Sequence, residues 1–458
     1  MLQILVSVLA FIVAISVLVA VHEYGHFWVA RKLGFKVLRF SVGFGRPLLR
    51  WRSKDADQVE YWISAIPLGG YVKMLDEREG EVAADEVHRA FNRRPVWQRV
   101  AVLAAGPGAN FLFAIVAVWL MLMLGVAGQR LYVEDVRPDS VAASAGLRAD
   151  DVVTSVGGAP TETIDQALVA MFDELLGDGL IELGVTEADG NRRELVLDVQ
   201  GRVSELTEPD ALFDGLGIVL GPRPAAVIGL VAEAQPAAAA GLRPDDRIVA
   251  IDGQAVRYWT EIVEQISARP GARLELSIER GGESLVLPVE VASVVEDGAT
   301  VGRIGIGSKP DEREGLRERL LTERRYGPIA AIGASLDETW ALTALTVRML
   351  GRMLTGEVSI KNASGPLMIA AYAGEYARAG LDYYLRFLGM ISISLGIMNL
   401  LPVPILDGGQ IVMSLVEGVK GRPLSLRTAV IGQQVGLALL VALFGVVFYN
   451  DITRLFGL

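Results

Sequence analysis

The chain has no cysteine, and this absence excludes disulfide bonds, thiolate metal ligands and cysteine nucleophiles. It also has no excess of positive charge, because 43 Lys and Arg residues are outnumbered by 54 Asp and Glu residues and the formal net charge is −11. A chain of this charge is not expected to bind nucleic acid. Histidine is scarce, with three in 458 residues, so histidines at a regular spacing are informative.

Hydrophobic residues, in contrast, are abundant. They make up 52% of the chain, which has a mean hydropathy of +0.39, yet 21% of its residues are charged. This combination predicts a membrane protein with sizeable aqueous domains. A membrane-spanning helix needs about 20 apolar residues. Four segments meet this requirement, namely 2–21, 100–125, 385–404 and 429–449. A cleaved signal peptide at 2–21 is disfavoured, because the run has no basic flank and no small-residue cleavage site.

Flanking charge predicts the orientation of these spans. Residues 31–54 contain eight Lys and Arg residues and no acidic residue, and the loop at 405–428 contains three more basic residues. Positively charged loops remain in the cytoplasm. We therefore expect the 31–99 and 405–428 loops to be cytoplasmic, and the 126–384 region and both termini to lie on the other side.

The large region between the second and third spans contains a repeat. Residues 145–158 read AGLRADDVVTSVGG and residues 240–253 read AGLRPDDRIVAIDG, at a constant offset of 95. Such self-similarity indicates a duplicated module, here a short helix, an Asp-Asp turn and an alternating strand. The pattern resembles PDZ domains, over 126–221 and 222–309. Peptide binding and a purely steric role both remain open, as do two generic α+β domains without ligands.

The segment after the repeats predicts a connector and a helix. Residues 310–325 are strongly charged, and residues 327–356 are rich in apolar residues at helical spacing. Asp337 and Glu338 lie in the middle of this helix and argue against a fifth span. An amphipathic helix on the outer membrane face is the favoured interpretation, and a packing helix under the second repeat is the alternative.

The helix of the first span is expected to continue to residue 30, and it then contains the motif HEYGH at residues 22–26. On a helix, His22 and His26 share one face a turn apart, a spacing that allows both imidazoles to bind one zinc ion. Glu23 is then placed to take a proton from a water molecule. Ionisable groups are costly in a span, roughly 2.5–3.5 kcal/mol for each charged one. A divalent cation would offset that cost, so the motif predicts a metal site.

A catalytic zinc ion usually has three protein ligands, so a third must come from elsewhere. His88 is suitable by residue type but lies in a polar segment. Asp407 is the better candidate, because it ends the segment NLLPVPILDGG at 399–409, whose prolines interrupt the third helix. Irregular backbone at membrane depth is tolerated where it lines a cavity. The alternative is an aspartate that caps an ordinary span.

The two motifs together resemble the site-2 protease family of intramembrane zinc metalloproteases, which have HExxH in one span and NxxPxPxxDG in a later one. GFG at 43–45 and PLGGYVKM at 67–74 extend the resemblance. The resemblance implies that His22, His26 and Asp407 bind Zn2+. It also implies that Glu23 is the general base and that Asn399 binds the substrate.

The resemblance further implies the fold, a polytopic α-helical membrane protein with about four transmembrane helices, two inserted α+β PDZ-like domains and a membrane-associated β-hairpin loop. The expected segments are 1–30, 31–99, 100–125, 126–221, 222–309, 310–384, 385–404, 405–428 and 429–458. The implied activity is cleavage within the transmembrane segments of single-span membrane proteins such as anti-sigma factors, and of remnant signal peptides, after their outer domains have been trimmed. The implied location is the bacterial inner membrane, with the active site toward the cytoplasm and the PDZ-like domains in the periplasm.

A helical substrate must be unwound before its peptide bonds are accessible. Residues 58–64, QVEYWIS, alternate as in a strand, and we expect this segment to offer an edge for strand addition to the substrate. A plain surface hairpin is the alternative. Two other functions, a membrane scaffold and a metal transporter, are disfavoured. A scaffold needs no HExxH, and a transporter needs ionisable residues in the other spans.

Overall fold

The computed structural model describes residues 2–78, 80–296, 299–309 and 314–456. Residues 310–313 of the predicted connector, 297–298 of the second repeat and 457–458 of the last segment therefore lie outside the described residues. The chain begins with α1 (Leu2–Lys32), β1 (Val37–Arg52), β2 (Glu60–Met74) and α2 (Val96–Leu124). Helix α1 continues well beyond the predicted span at 2–21, so the HEYGH motif lies inside it.

Strands β1 and β2 are both long and irregular, and the two halves of each strand pair with different segments. In the register, Tyr61 at the start of β2 lies opposite Phe40 on one side and Trp51 on the other. The start of β2 is therefore in the interior of the sheet, with both sides occupied by β1. The prediction that 58–64 offers a free edge is wrong, because alternation identifies a strand but not its neighbours.

The end of β2 lies at the sheet edge instead. Gly70 is opposite Val42, and Tyr71 is opposite Ser41, so this part of β2 pairs with the first half of β1. Among the described residues, the register gives segment 70–72 no partner on its other side. This edge therefore has the main-chain groups that an added strand would need.

The first repeat is a single sheet with helices. Its elements are β3 (Val126–Gln129), β4 (Leu131–Val136), α3 (Val141–Ser144), β5 (Val152–Val156), β6 (Ala159–Pro160), α4 (Ile164–Leu175), β7 (Leu180–Thr186), β8 (Arg192–Asp198), α5 (Val203–Leu206), α6 (Ala211–Leu216) and β9 (Ile218–Leu220). The strand order is β8-β7-β5-β4-β9, with β6 paired to β5. Strand β3 lies outside this order and pairs with a strand that follows the second repeat.

The second repeat has equivalent elements. They are β10 (Ile228–Val231), α7 (Pro236–Ala239), β11 (Arg247–Ile251), β12 (Gln254–Ala255), α8 (Trp259–Ser267), β13 (Arg273–Arg280), β14 (Glu283–Glu290), β15 (Ala292–Glu296), β16 (Ala299–Arg303) and β17 (Ile306–Ser308). The main sheet has the order β12-β11-β13-β14, β10 pairs with β17, and β15 pairs with β16. Each repeat has its own cluster of buried hydrophobic side chains.

The repeated Asp-Asp turn has the same geometry in both copies. Asp150 and Asp245 have positive φ angles, 70° and 71°. The next residue in the second copy, Asp246, is fully buried and accepts hydrogen bonds from the Arg243 backbone and the Arg280 side chain. Its burial raises the pKa of Asp246, but the bonds from Arg280 outweigh this and hold the pKa below its usual range. Asp246 therefore holds the turn through the Arg243 backbone and pairs with the half-buried Arg280 side chain.

The remaining elements are mainly helical. They are α9 (Glu314–Leu320), β18 (Leu321–Arg324), α10 (Pro328–Thr355), α11 (Pro366–Ala379), α12 (Leu381–Leu400), α13 (Asp407–Lys420) and α14 (Leu426–Phe456). Strand β18 is the partner of β3. Within the described residues, four helices are long and apolar enough to cross a membrane: α1, α2, α12 and α14. The predicted loop at 405–428 contains helix α13, since the glycines after Asp407 allow the chain to re-enter a helix directly.

Helix α10 packs along helix α2. Ala331 and Ala334 pack with the end of α2, while Leu342 and Leu350 pack near Phe111 in its middle. The helix therefore runs alongside α2, because its small and aliphatic residues complement α2. Its acidic Glu338 is paired with Arg324.

Candidate metal centre

The two histidines of α1 face the interior of the helical bundle. His22 and His26 are each 8% exposed, and their Nε2 atoms are 3.2 Å apart. The i,i+4 spacing puts both rings over the same side of the helix. The Nδ1–H of His26 donates to the carbonyl of Val102 on α2, at 2.7 Å. A carbonyl can only accept, so this bond places the proton on Nδ1 and leaves the Nε2 lone pair directed at His22.

Asp407 reaches this pair from the N-terminus of α13. Helix α12 ends at Leu400, and the chain turns back so tightly that only glycine fits at the next two positions. A Cβ on Gly408 would lie 2.1 Å from the carbonyl oxygen of Leu400, and one on Gly409 would lie 2.1 Å from that of Val403. The resulting turn brings Asp407 Oδ2 to 3.1 Å from His22 Nε2 and 3.4 Å from His26 Nε2.

The three side chains fit a zinc ion. Ligand atoms around a tetrahedral zinc with bonds of about 2.0–2.1 Å are separated by roughly 3.3–3.4 Å. The separations of the His22, His26 and Asp407 ligand atoms, 3.1–3.4 Å, match this value. Oδ2 of Asp407 is also a buried atom without a hydrogen-bond partner among the described residues. A cation between the three atoms would satisfy it.

Glu23 lies beside the cluster, 9% exposed, on the face of α1 that packs against the sheet. A Cβ on Gly70 would come within 2.8 Å of Glu23 Cγ and 2.9 Å of Val19 Cγ1. The edge segment 70–72 therefore lies directly next to the Glu23 side chain. A carboxylate, a cluster of three residues that could hold a metal ion and an open strand edge meet at this point.

Helix α2 contributes two residues that sequence patterns did not single out. A Cβ on Gly106 would lie 2.3 Å from His26 Nε2 and 2.9 Å from His22 Cε1, so the glycine makes room for both rings. Asn110, one turn further, is fully buried, with its Nδ2 at 3.2 Å from His22 Nδ1. A polar residue in an apolar span is itself a sign of function, and this sign could have identified Asn110.

A buried ion pair fixes α13 on α2. Arg99 Nη1 lies 2.6 Å from Glu417 Oε2, and Oε1 of Glu417 accepts from the Leu424 backbone N–H. Burial raises the pKa of Glu417, but the hydrogen bonds from Arg99 and Leu424 outweigh it and lower the pKa below its usual range. Because α13 begins at Asp407, this pair also restrains the carboxylate that faces the histidines.

The other predicted site residues lie elsewhere. Asn399 is half-buried in the last turn of α12, and among the described residues no hydrogen bond links it to the cluster. His88 is exposed in a short 3-10 helix, Val87–Arg89, and is not part of the cluster. In the described part of the chain, the ligand atoms of His22, His26 and Asp407 lie close enough together to bind one metal ion.

Sequence comparison gives similarities over nearly the whole chain. The model described as peptidase family M50 matches residues 10–443. Protease RseP of Yersinia pestis is 43% identical over 465 residues, which cover 99% of this chain and 100% of the relative. The regulator of sigma-E protease RseP of Escherichia coli is 42% identical over 461 residues, with the same coverage. A relative from Neisseria meningitidis, named as a candidate zinc metalloprotease, is 38% identical over 457 residues.

Comparison with solved structures gives matches that span about the length of one repeat. The PDZ domain of an SdrC-like protein from Listeria innocua is 21% identical, with a TM-score of 0.17. The match covers 19% of this chain and 97% of that domain. A score this low carries no argument about the repeats.

Proposed function

Since this chain belongs to peptidase family M50 and is a zinc metalloprotease of regulated intramembrane proteolysis, we propose that it cleaves peptide bonds within the transmembrane segments of single-span membrane proteins. One observation carries this proposal. Two histidines of α1 and an aspartate far along the chain converge among helices that are apolar enough to cross a membrane. A hydrolytic site in that environment is suited to a substrate that is itself in the membrane.

His22, His26 and Asp407 are the proposed zinc ligands. They supply two neutral imidazoles and one carboxylate, a ligand set typical of catalytic zinc, which leaves a position open. When bound, zinc supplies Lewis acidity that polarises the scissile carbonyl and makes water more acidic. The Val102 carbonyl holds the His26 ring, because the hydrogen bond to Nδ1 fixes both its tautomer and its orientation.

Glu23 is the proposed general base. Its carboxylate accepts a proton from the attacking water and then gives it to the leaving amine. The neighbouring residues exclude bulk water, since Glu23 is buried between α1 and the sheet edge. Asn399 is proposed to bind the substrate backbone or the oxyanion, because an amide more often hydrogen-bonds than binds zinc.

The edge segment 70–72 is the proposed binding strand for the unwound substrate. A substrate helix that unwinds loses its own backbone hydrogen bonds, and each unsatisfied group costs several kcal/mol in lipid. Pairing with an open strand edge replaces these bonds. The proximity of Gly70 to Glu23 supports this edge, as it would align a paired strand with the proposed base.

The two repeats, proposed to be PDZ-like and periplasmic, form a steric gate for substrates with large outer domains. Ion pairs tie helix α4 of the first repeat to the helical bundle, joining Asp165 to Arg386 and Asp173 to Arg348. We propose an enzyme of the bacterial inner membrane with its active site toward the cytoplasm. Replacing residues 131–308 with a flexible linker, which retains the β3–β18 pair, should allow cleavage of untrimmed substrates. A linker variant that binds zinc and still rejects them would contradict the gate.

The proposed substrates are anti-sigma-factor-like proteins with one span, trimmed beforehand by another protease, and remnant signal peptides. The names of the relatives from Escherichia coli and Yersinia pestis support this class, since one of them names regulation of sigma-E. A trimmed single-span protein also has the small outer part that the gate would admit. The measurement is cleavage of purified single-span candidates, with the cut mapped by mass spectrometry.

The test of the site uses three variants in one preparation. Glu23→Gln should retain one zinc per chain and lose cleavage at least 100-fold, because an amide cannot accept the proton. His22→Ala should lose zinc as well. Tyr24→Phe alters an exposed neighbour in the same helix and should behave like the parent. Normal turnover by the Glu23 variant would refute the proteolytic mechanism, and one zinc per chain without cleavage by the parent would favour a scaffold or transporter.

A further inference from the structure

Asn110 of helix α2 lies against the one His22 ring nitrogen that faces away from the cluster. It is fully buried, in a helix long and apolar enough to cross a membrane. Its Nδ2 is 3.2 Å from His22 Nδ1, while its Oδ1 is buried and has no hydrogen-bond partner among the described residues. A buried amide oxygen without a donor is rare in folded proteins and requires an explanation.

The tautomer that zinc binding requires of His22 follows from the position of its Nε2 atom. Nε2 of His22 faces Asp407 Oδ2 and His26 Nε2 at 3.1 and 3.2 Å, the atoms that would surround the metal. A nitrogen that binds a metal carries no proton, so the neutral ring has its proton on Nδ1. Nδ1 is then a donor, and it needs an acceptor in a place that water does not reach.

The two ends of an amide have nearly the same shape, so hydrogen bonding decides which end faces a neighbour. With Nδ2 toward His22, two donors would face each other and Oδ1 would stay without a partner. With the amide turned over, the Nδ1–H of His22 donates to Oδ1 of Asn110, and both atoms are satisfied. The backbone of Asn110 is held in place by Ser392 of α12, whose hydroxyl donates to its carbonyl at 2.8 Å.

We infer that Asn110 is a positioning residue that accepts the hydrogen bond of His22 Nδ1–H through Oδ1 and orients this ring for zinc. His26 has the equivalent support from the Val102 carbonyl, also on α2. Helix α2 thus supplies an acceptor to each zinc histidine, one from its backbone and one from a side chain. The inference rests on the proposed zinc ligands.

The test compares an acceptor with a non-acceptor at position 110 in the full-length purified protein. Asn110→Leu keeps the approximate volume but removes the acceptor, and we expect zinc affinity to fall 10- to 100-fold. Asn110→Asp keeps the acceptor and removes the donor, and its affinity should stay within threefold of the parent or increase. Zinc dissociation constants are measured by competition with a chelator.

The two variants distinguish the three possible roles of Asn110. A donor role would make Asn110→Asp the damaging change, and a packing role would make both changes equally damaging, so either result overturns the inference. Zinc affinity within twofold of the parent in Asn110→Leu would also overturn it. Gly108→Ala is the matched control, since it changes the same helix at a position where nothing lies within 4 Å of the new Cβ, and its zinc affinity should match the parent.

A second measurement reads the ligand geometry directly. In the cobalt-substituted protein, the visible absorption spectrum reports the arrangement of ligands around the metal. We expect a changed spectrum for Asn110→Leu and the parental spectrum for Gly108→Ala; identical spectra for the parent and both variants would overturn the inference. His22→Ala is included so that the two proposals can fail separately. If that variant retains one tightly bound zinc, the ligand assignment is wrong whatever Asn110 does.

Discussion

Gly106 gives the sharpest test of the metal centre, because a single methyl group added there would collide with both histidine rings. In Gly106→Ala the new Cβ would lie 2.3 Å from His26 Nε2, the atom proposed to bind zinc, and 2.6 Å from its Cε1. Heavy atoms in ordinary contact are separated by about 3.5 Å. The ring must therefore move by roughly 1 Å, whereas metal–ligand distances are kept within about 0.2 Å.

This displacement of the ring sets a lower limit on the expected loss of zinc affinity. Changes to groups that merely support a ligand cost 10- to 100-fold in metal affinity. Displacing a ligand itself should cost at least about 100-fold, or roughly 2.7 kcal/mol. Helix stability should not fall for backbone reasons, since alanine is favoured over glycine in a helix by about 1 kcal/mol. Gly106→Ala should thus lose zinc and cleavage while its metal-free form remains folded.

The assay measures zinc affinity by chelator competition and folding of the metal-free protein by thermal denaturation. Gly108→Ala is the control, because it makes the same change two residues away on the same helix, where nothing lies within 4 Å of the new Cβ. The control should bind zinc like the parent. If Gly106→Ala binds zinc within threefold of Gly108→Ala, the histidine rings do not pack on Gly106 and the geometry of the centre is wrong.

Three further predictions concern the surroundings of the site and the second repeat. Glu417→Gln leaves Arg99 buried without its partner and should destabilise the protein by about 3 kcal/mol, seen in thermal denaturation; an unchanged melting temperature would mean that the pair does not anchor α13. Gly70→Ala pushes a methyl group against the proposed base, so cleavage should slow at least tenfold with zinc content unchanged, and parental turnover would contradict the edge assignment. The pKa of Asp246 is lowered by folding, so its stabilising effect is present above its unfolded pKa of about 3.9 and is lost as the pH falls through the folded value. Asp246→Asn should therefore weaken the acid dependence of urea unfolding below about pH 4, and an unchanged slope would argue against this linkage.

The local patterns of the sequence predicted much of the architecture. Apolar runs of sufficient length predicted four helices that could cross a membrane, and the part of the chain that the structure describes has four. The 95-residue offset predicted a duplicated module, and α3 and α7 begin at equivalent positions, Val141 and Pro236. These features depend on spacing along the chain, so the sequence is sufficient to identify them. The boundaries were less accurate, because β3 pairs with a strand beyond the second repeat.

The sequence alone determined which chemical groups are available: two imidazoles on one helix face, a neighbouring carboxylate, and Asp407 with two prolines before it and two glycines after it. The tertiary structure decided which of these groups meet and what supports them. It brought Asp407 to the histidines and placed Gly106 and Asn110 behind their rings. It also put the start of β2 inside its sheet and left Gly70 at the edge. Helical and strand periodicity describe one element at a time, whereas contacts between elements depend on the packing of distant segments, which no local pattern records.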